Sequence, residues 1–329
     1  MKAYLLHAYG PPENLLLSEV PKPEPGPGEV LVQIRATSVN PYDWHHMRGE
    51  PRAARLVPGG FGKRRPQHSI LGCDLAGVVE GVGSGVTAFQ PGDNVYALVT
   101  HGSYAEYACV PEELLAPKPS SLSFEEAAAV PMAGATAIQA VRDDAQVRSG
   151  QRVLVNGASS GVGTFAVQLA RTAGAEVTAV CGGRNADLVK GLGAVAVIDY
   201  AAEDFTKVAR DFDVLVDIAG SPRITAAKRI LRPQGSYVII GGKAGRWFRP
   251  MDHRIAGELI GKFSSQRILG TDVVIGPVSA RNLEELGRHA DNGDVKPVID
   301  RQFTFAELPA AMRYVEAGHA SGKVVVSLP

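Results

Sequence analysis

The chain has 329 residues, more than one compact core usually holds, so two domains are expected. Lysine plus arginine match aspartate plus glutamate at 34 each, the isoelectric point lies near 7.1 and 45% of residues are apolar, which speaks against a nucleic-acid or acidic-membrane binder. Cys73, Cys109 and Cys181 lie too far apart for a disulfide framework and fit a reduced, cytoplasmic setting. No signal-peptide pattern opens the chain, and its richest apolar stretch, 127–141, is broken by Pro131 and Gly134, so membrane insertion is not expected.

In chain order, short β-rich runs alternate with turn residues from Gly28 to about Val110, with strands predicted over 30–34, 77–79 and 94–98. The proline-rich entry, 21–28, reads as a stiff surface connection. The stretch 52–67 reads as a loop, with Lys63, Arg64 and Arg65 as a solvated face. After Val110 the rhythm changes: strands are predicted over 152–156, 176–180, 195–198, 213–218 and 236–240, separated by helical crossovers. That alternation predicts a doubly wound parallel sheet of Rossmann type. Beyond about Lys296, short β-prone runs at 298–299 and 323–326 flank a helical segment, 308–317. The tail is expected to rejoin the first domain, so the predicted domains are 1–125 completed by 296–329, and 126–295.

The strand over 152–156 ends at Asn156-Gly157-Ala158-Ser159-Ser160-Gly161-Val162-Gly163, which opens a helix. A pyrophosphate needs close access to backbone N–H groups at the positive end of a helix, and small residues allow it. Ser159, Ser160, Gly161 and Val162 are the expected contacts. The dinucleotide is selected at the end of the second strand, where an NAD-preferring site presents a carboxylate to the ribose. Here the chain reads Cys181-Gly182-Gly183-Arg184-Asn185, without an acid. Arg184 and Asn185 are therefore read as cofactor contacts, with Arg184 paired to a 2′-phosphate, which predicts NADPH in preference to NADH. The alternative is a solvent-facing arginine at a helix start, where a cation is poorly placed.

Longer motifs extend the reading. Gly72-Cys73-Asp74-Leu75-Ala76-Gly77-Val78-Val79-Glu80-Gly81-Val82-Gly83, with Ser38-Val39-Asn40-Pro41-Tyr42-Asp43-Trp44, Ala128-Ala129-Val130-Pro131 and Ser321-Gly322-Lys323-Val324-Val325, resembles the medium-chain dehydrogenase/reductase superfamily. Within it, the sequence is similar to the zinc-independent quinone oxidoreductase group over essentially the whole chain. The resemblance implies a GroES-like, mostly β catalytic domain, a Rossmann cofactor domain and a homodimer. It also implies cofactor contacts at Thr136 near the nicotinamide, Tyr200 near the adenosine phosphate, Gly220, Gly241, Gly242 and Lys243 at later strand ends, and Lys323. A lysine before a terminal strand is otherwise read as solvated.

Zinc-dependent relatives need three catalytic ligands, usually two cysteines and a histidine. The matching places hold Asn40, Cys73 and Met132, and a cysteine-rich structural lobe is missing, so no metal site is expected. Cys73 reads as a small buried residue. Ser160 replaces the glycine usual in the turn, which makes positive φ costly there. His45 stands where several quinone reductases carry a tyrosine. Without a Lewis acid the acceptor must already be electrophilic, so hydride transfer to a quinone or other conjugated carbonyl is expected. Asn40 is the candidate for orienting the nicotinamide or the acceptor carbonyl, and Tyr42, His45 or water for giving the proton. The alternatives are an enoyl or enone reductase acting on a thioester or natural-product intermediate, and a catalytically silent nucleotide-binding protein on the same fold.

Overall fold

The computed structural model describes residues 1–56, 61–242, 245, 247, 251–261, 264–271 and 275–329, without the side chains of 251–254, 258 and 277. It forms two compact units. The first comprises Met1–Ala135, Val274–Gly293 and Pro297–Pro329, and the second Thr136–Val273 and Asp294–Lys296.

The strands before the second unit are β1 (Lys2–Leu6), β2 (Leu15–Glu19), β3 (Glu29–Val39), β4 (Asp74–Val82), β5 (Asn94–Leu98), β6 (Tyr107–Pro111) and β7 (Leu115–Pro117). The second unit contributes β8 (Arg152–Asn156), β9 (Glu176–Cys181), β10 (Ala196–Asp199), β11 (Phe212–Asp217), β12 (Leu231–Ile239) and β13 (Arg267–Gly270). The chain closes with β14 (Ile299–Thr304) and β15 (Lys323–Ser327).

In the first unit β1 and β2 pair with each other, and a mostly antiparallel sheet runs β14-β15-β3-β4-β5-β7, with β6 also paired to β3. The tail returns because its apolar residues have nowhere else to be buried. Val324 and Val326 of β15 share one core with Val30, Val32 and Ile34 of β3, and Leu308 and Met312 of the helix Leu308–Glu316 close over it. β15 pairs with β3 from Val324↔Val39 to Ser327↔Ala36, which sets Lys323 just beyond the end of that pairing.

Among the described residues, the second unit's sheet has six strands, all parallel, in the order β10-β9-β8-β11-β12-β13. The central β8 carries Val153, Leu154 and Val155 fully buried, as a parallel strand covered on both faces requires. Chain order reverses beside β8, and such a switch point is where open α/β sheets bind ligands. The expected five strands are all present, and β13 extends the sheet by one.

The turn after β8 depends on close backbone packing. A β-carbon on Gly163 would stand 2.1 Å from the Gly157 carbonyl oxygen, and neither atom is the flexible end of a side chain. Gly163→Ala is therefore expected to destabilise the chain by about 1–3 kcal/mol, as overpacked backbone sites do. Thermal unfolding checks this, and an unchanged midpoint contradicts the packing argument.

Candidate active site

The helix Gly161–Thr172 begins with Ser160 as its cap, at φ −74° and ψ 170°. The Ser160 hydroxyl accepts the Gly163 N–H at 3.1 Å and donates to the Gly157 carbonyl at 2.7 Å. It is thus committed to holding the turn. The cost of positive φ at Ser160 is not incurred, because the left-handed position falls on Gly157 at φ 86°. The N–H groups of Ser159, Gly161 and Val162 have no acceptor among the described residues, and all three residues are half-buried. That donor set, at the positive end of a twelve-residue helix, fits a pyrophosphate.

The strand ends around this turn are tied together by one buried carboxylate. Asp217 accepts from Asn156 Nδ2 at 2.7 Å, from the Gly220 N–H at 2.8 Å and from the Tyr237 hydroxyl at 2.7 Å, joining the ends of β8, β11 and β12. Gly220, at φ 55°, packs on the Gly241–Gly242 backbone, where a β-carbon would come within 2.2 Å of Gly242 Cα. Beside the turn, Asn185 Nδ2 donates to Ser159 Oγ at 3.0 Å, and Arg184 lies in the 3-10 turn Gly183–Asn185 that follows β9. Tyr200 is 67% exposed, and its hydroxyl stands 3.2 Å from where a Gly182 β-carbon would be. Thr136 is buried, and Lys243 lies outside the described residues.

An acid missed by reading the second strand alone comes from the third. Asp199 pairs in register with Cys181, and its Oδ2 stands 2.6 Å from the place of a Gly183 β-carbon. No pattern within β9 announces it, since the approach is made between neighbouring strands.

The first unit carries the other candidates. Residues Pro41–Arg48 form a helix because Pro41 stands at its first position, Asp43 accepts the Asn40 N–H at 2.8 Å, and Gly49 ends it in the left-handed conformation at φ 60°. Asn40 occupies the capping place, but its side chain turns to another partner. The Asp74 carboxylate, fully buried, accepts Asn40 Nδ2 at 2.9 Å, Lys323 Nζ at 3.1 Å, the Met132 N–H at 2.8 Å and the Ser38 hydroxyl. Lys323 also donates to Asn40 Oδ1, which fixes the orientation of that amide.

Lys323, a cofactor contact by resemblance and otherwise a solvated lysine, is only 3% exposed, so the solvated alternative does not hold. Its ion pair with Asp74 is sealed from water, and removing one partner of such a pair costs about 3–5 kcal/mol. Asp74 is the residue that sequence reasoning passed over, although it stands in the most specific motif.

Next to this network, Cys73 Sγ donates to Asp43 Oδ1 at 3.2 Å. The Tyr104 hydroxyl abuts Asp43 without forming a well-shaped hydrogen bond. Burial pushes the Cys73 thiol well above its ordinary pKa, and nearby Asp43 and Asp74 push it further, so it remains protonated. Burial likewise raises Asp43 to about 6. Tyr42 is raised by burial, and its hydroxyl has no partner among the described residues. His45 places Nδ1 2.6 Å from the Glu50 carbonyl and stacks on Trp44, and burial lowers its pKa. A neutral ring donating from Nδ1 has no second proton to give at Nε2. Among the described residues, no group of three or more His, Cys, Asp or Glu side chains is arranged to hold a metal ion.

Two family models match: "Alcohol dehydrogenase GroES-like domain" over residues 26–120 and "Zinc-binding dehydrogenase" over 192–326. The chain is 34% identical to the chloroplast envelope quinone oxidoreductase homolog of Arabidopsis thaliana, over 94% of this chain and 92% of that one. It is 33% identical to the mitochondrial NAD(P)H oxidoreductase RTN4IP1 of Mus musculus, over 100% and 89%. It is also 33% identical to 2-methylene-furan-3-one reductase of Solanum lycopersicum, over 99% and 79%. Fold, open helix N-terminus and relatives together define an NAD(P)H-dependent oxidoreductase. The chain belongs to the medium-chain dehydrogenase/reductase superfamily, in its quinone oxidoreductase-like group.

Asp43 sets a pH dependence with a definite sign. Its folded pKa lies above its unfolded value, so the stability it contributes is complete below pH 4 and is lost as pH rises through about 6. The slope from this group reaches at most about 1.4 kcal/mol per pH unit. Asp43→Asn is expected to flatten the stability profile from pH 4 to 6 in denaturant titrations, and an unchanged slope contradicts the assignment.

Proposed function

We propose that this protein reduces a quinone or another conjugated carbonyl acceptor with NADPH and without a metal ion. The observation that carries this reading is the closed network at the places of the zinc ligands: the Cys73 thiol donates a hydrogen bond to Asp43, Asn40 is held between Asp74 and Lys323, and the Met132 backbone serves Asp74. A protonated, buried thiol beside a locked amide and a thioether is a poor donor set for zinc. The group therefore has to act on acceptors that are already electrophilic, and conjugated carbonyls qualify because the arriving charge spreads to oxygen.

When bound, the reduced nicotinamide supplies the hydride. The chain's own part is to bind, orient and protonate. The N–H groups of Ser159, Gly161 and Val162 bind the pyrophosphate, Asn185 steadies Ser159, and Ser160 shapes the turn. Thr136, Tyr200, Gly220, Gly241, Gly242, Lys243 and Lys323 complete the proposed cofactor contacts, and Arg184 receives the 2′-phosphate. Asn40 orients the nicotinamide or the acceptor carbonyl. Tyr42, protonated and unbonded, is better suited than neutral His45 to give a proton, with water as the other source. The first unit acts as the catalytic domain and the second as the cofactor domain, with the boundary at Ala135–Thr136 rather than at 125–126 and with Val274–Gly293 on the catalytic side, in a cytoplasmic homodimer.

The tomato relative's name favours an enone as the acceptor, with the same hydride step. A panel of quinones, enones, enoyl thioesters and aldehydes, followed by loss of NADPH absorbance, tests the function. Turnover is expected with quinones or enones, and Tyr42→Phe is expected to lower kcat more than His45→Phe. Absence of turnover across the panel contradicts the proposal and favours a silent nucleotide-binding protein.

Cofactor choice is set by two opposed charges. Arg184→Ala is expected to lower the preference for NADPH over NADH by about tenfold or more, the worth of one charge-assisted contact. Asp199→Asn is expected to raise that preference, since it removes a carboxylate facing the same turn. The ratio of kcat/KM for the two cofactors is the measurement, and equal ratios in all three proteins contradict the assignment.

A further inference from the structure

A second concave site lies in the cofactor-binding unit, at the opposite end of its sheet from the dinucleotide turn. The cavity, about 550 Å³, is lined by the starts of neighbouring strands and by the segment leading into β8. β8 separates it from the turn, since five residues at about 3.3 Å each span roughly 16 Å.

Three exposed arginines, Arg148, Arg232 and Arg267, are among its lining residues, with one aspartate, Asp213. That carboxylate is already committed on both oxygens: Arg232 Nη1 donates to Oδ1 at 2.7 Å and the Arg152 N–H to Oδ2 at 2.8 Å. Arg267 donates to the Asp144 carbonyl at 3.1 Å, and the Arg148 guanidinium has no partner among the described residues. Among the described residues, Arg148 and Arg267 thus line one concavity with no carboxylate bonded to either.

The backbone bends to make this arrangement. β11 and β12 lose register between Phe212↔Leu231 and Val214↔Ser236, and the excess residues of β12 carry Arg232 to the rim. The described residues include two non-glycine positions in the left-handed region, Gln146 at φ 53° and Asp211 at φ 61°. Gln146 lines the cavity, and Asp211, whose carbonyl accepts from Arg152, lies two residues before Asp213. Such conformations cost about 1–3 kcal/mol each and gather where geometry serves a ligand.

We propose that this cavity binds a small phosphate-bearing anion, separately from the dinucleotide. Two uncompensated guanidiniums match a dianion, and the planar guanidinium fork matches phosphate oxygens in pairs. A space of this volume exceeds a bare ion, so a phosphate monoester fits better than free phosphate, with the Gln146 and Gln151 side chains beside its organic part.

The test is calorimetric titration of the NADPH-saturated protein with glycerol 3-phosphate, and separately with inorganic phosphate, in phosphate-free buffer of low ionic strength. Saturation with NADPH keeps the probe out of the dinucleotide turn. One equivalent of glycerol 3-phosphate is expected to bind, at least tenfold more weakly in Arg148→Gln/Arg267→Gln, while NADPH affinity stays unchanged. Equal binding of inorganic phosphate would identify the free ion as ligand of the same site. No binding to the unaltered protein, or undiminished binding to the double variant, overturns the proposal.

Discussion

A single buried carboxylate organises the first unit of this protein. Asp74 accepts four hydrogen bonds without contact with water, from the end of β3, from the first residue of β15 and from the backbone at Met132. A carboxylate in that position is tolerable only if every lone pair is answered and a cation stands close. Lys323 supplies the cation and fixes the Asn40 amide, so the returning tail of the chain sets the geometry of the candidate catalytic residues. Apolar burial brings the tail back, and Lys323 at the start of β15 then fixes the orientation of Asn40.

A parallel solution holds the strand ends of the second unit. Asp217, also fully buried, ties Asn156, Gly220 and Tyr237 across three strands and keeps the strand ends level. The glycines packed above it leave the backbone close and open, and Ser160 closes the first turn of the helix without using the N–H groups of Gly161 and Val162. Both sites pair a rigid, satisfied interior with a few polar groups left uncommitted at the surface of that interior. Preorganisation of this kind spares a site the reorganisation cost when charge develops.

Much of this was legible in the sequence because it follows from periodicity and local order. Buried runs such as Val153-Leu154-Val155 mark parallel strands, and the small residues after Asn156 mark the helix start. The helix Pro41–Arg48 was less visible, since Tyr42, Trp44, His45 and His46 mask any apolar stripe, although Pro41, Asp43 and Gly49 are ordinary start and stop signals. Lys323 and Asp74 are 249 positions apart, and no local pattern tells a buried lysine from a solvated one. Asp199 escaped notice for a similar reason, because strand pairing rather than sequence brings it to Gly183. Ser160 was read as making positive φ costly in the turn, yet the left-handed position there falls on Gly157.

The central claim is that the locked polar network leaves hydride transfer to proceed without a metal. The most direct measurement is a single turnover with an enone and NADPH deuterated at C4, with the metal content of the same sample determined. The account predicts deuterium on the product carbon at a rate independent of bound zinc. Transfer that is lost on chelation and restored by stoichiometric zinc would contradict it.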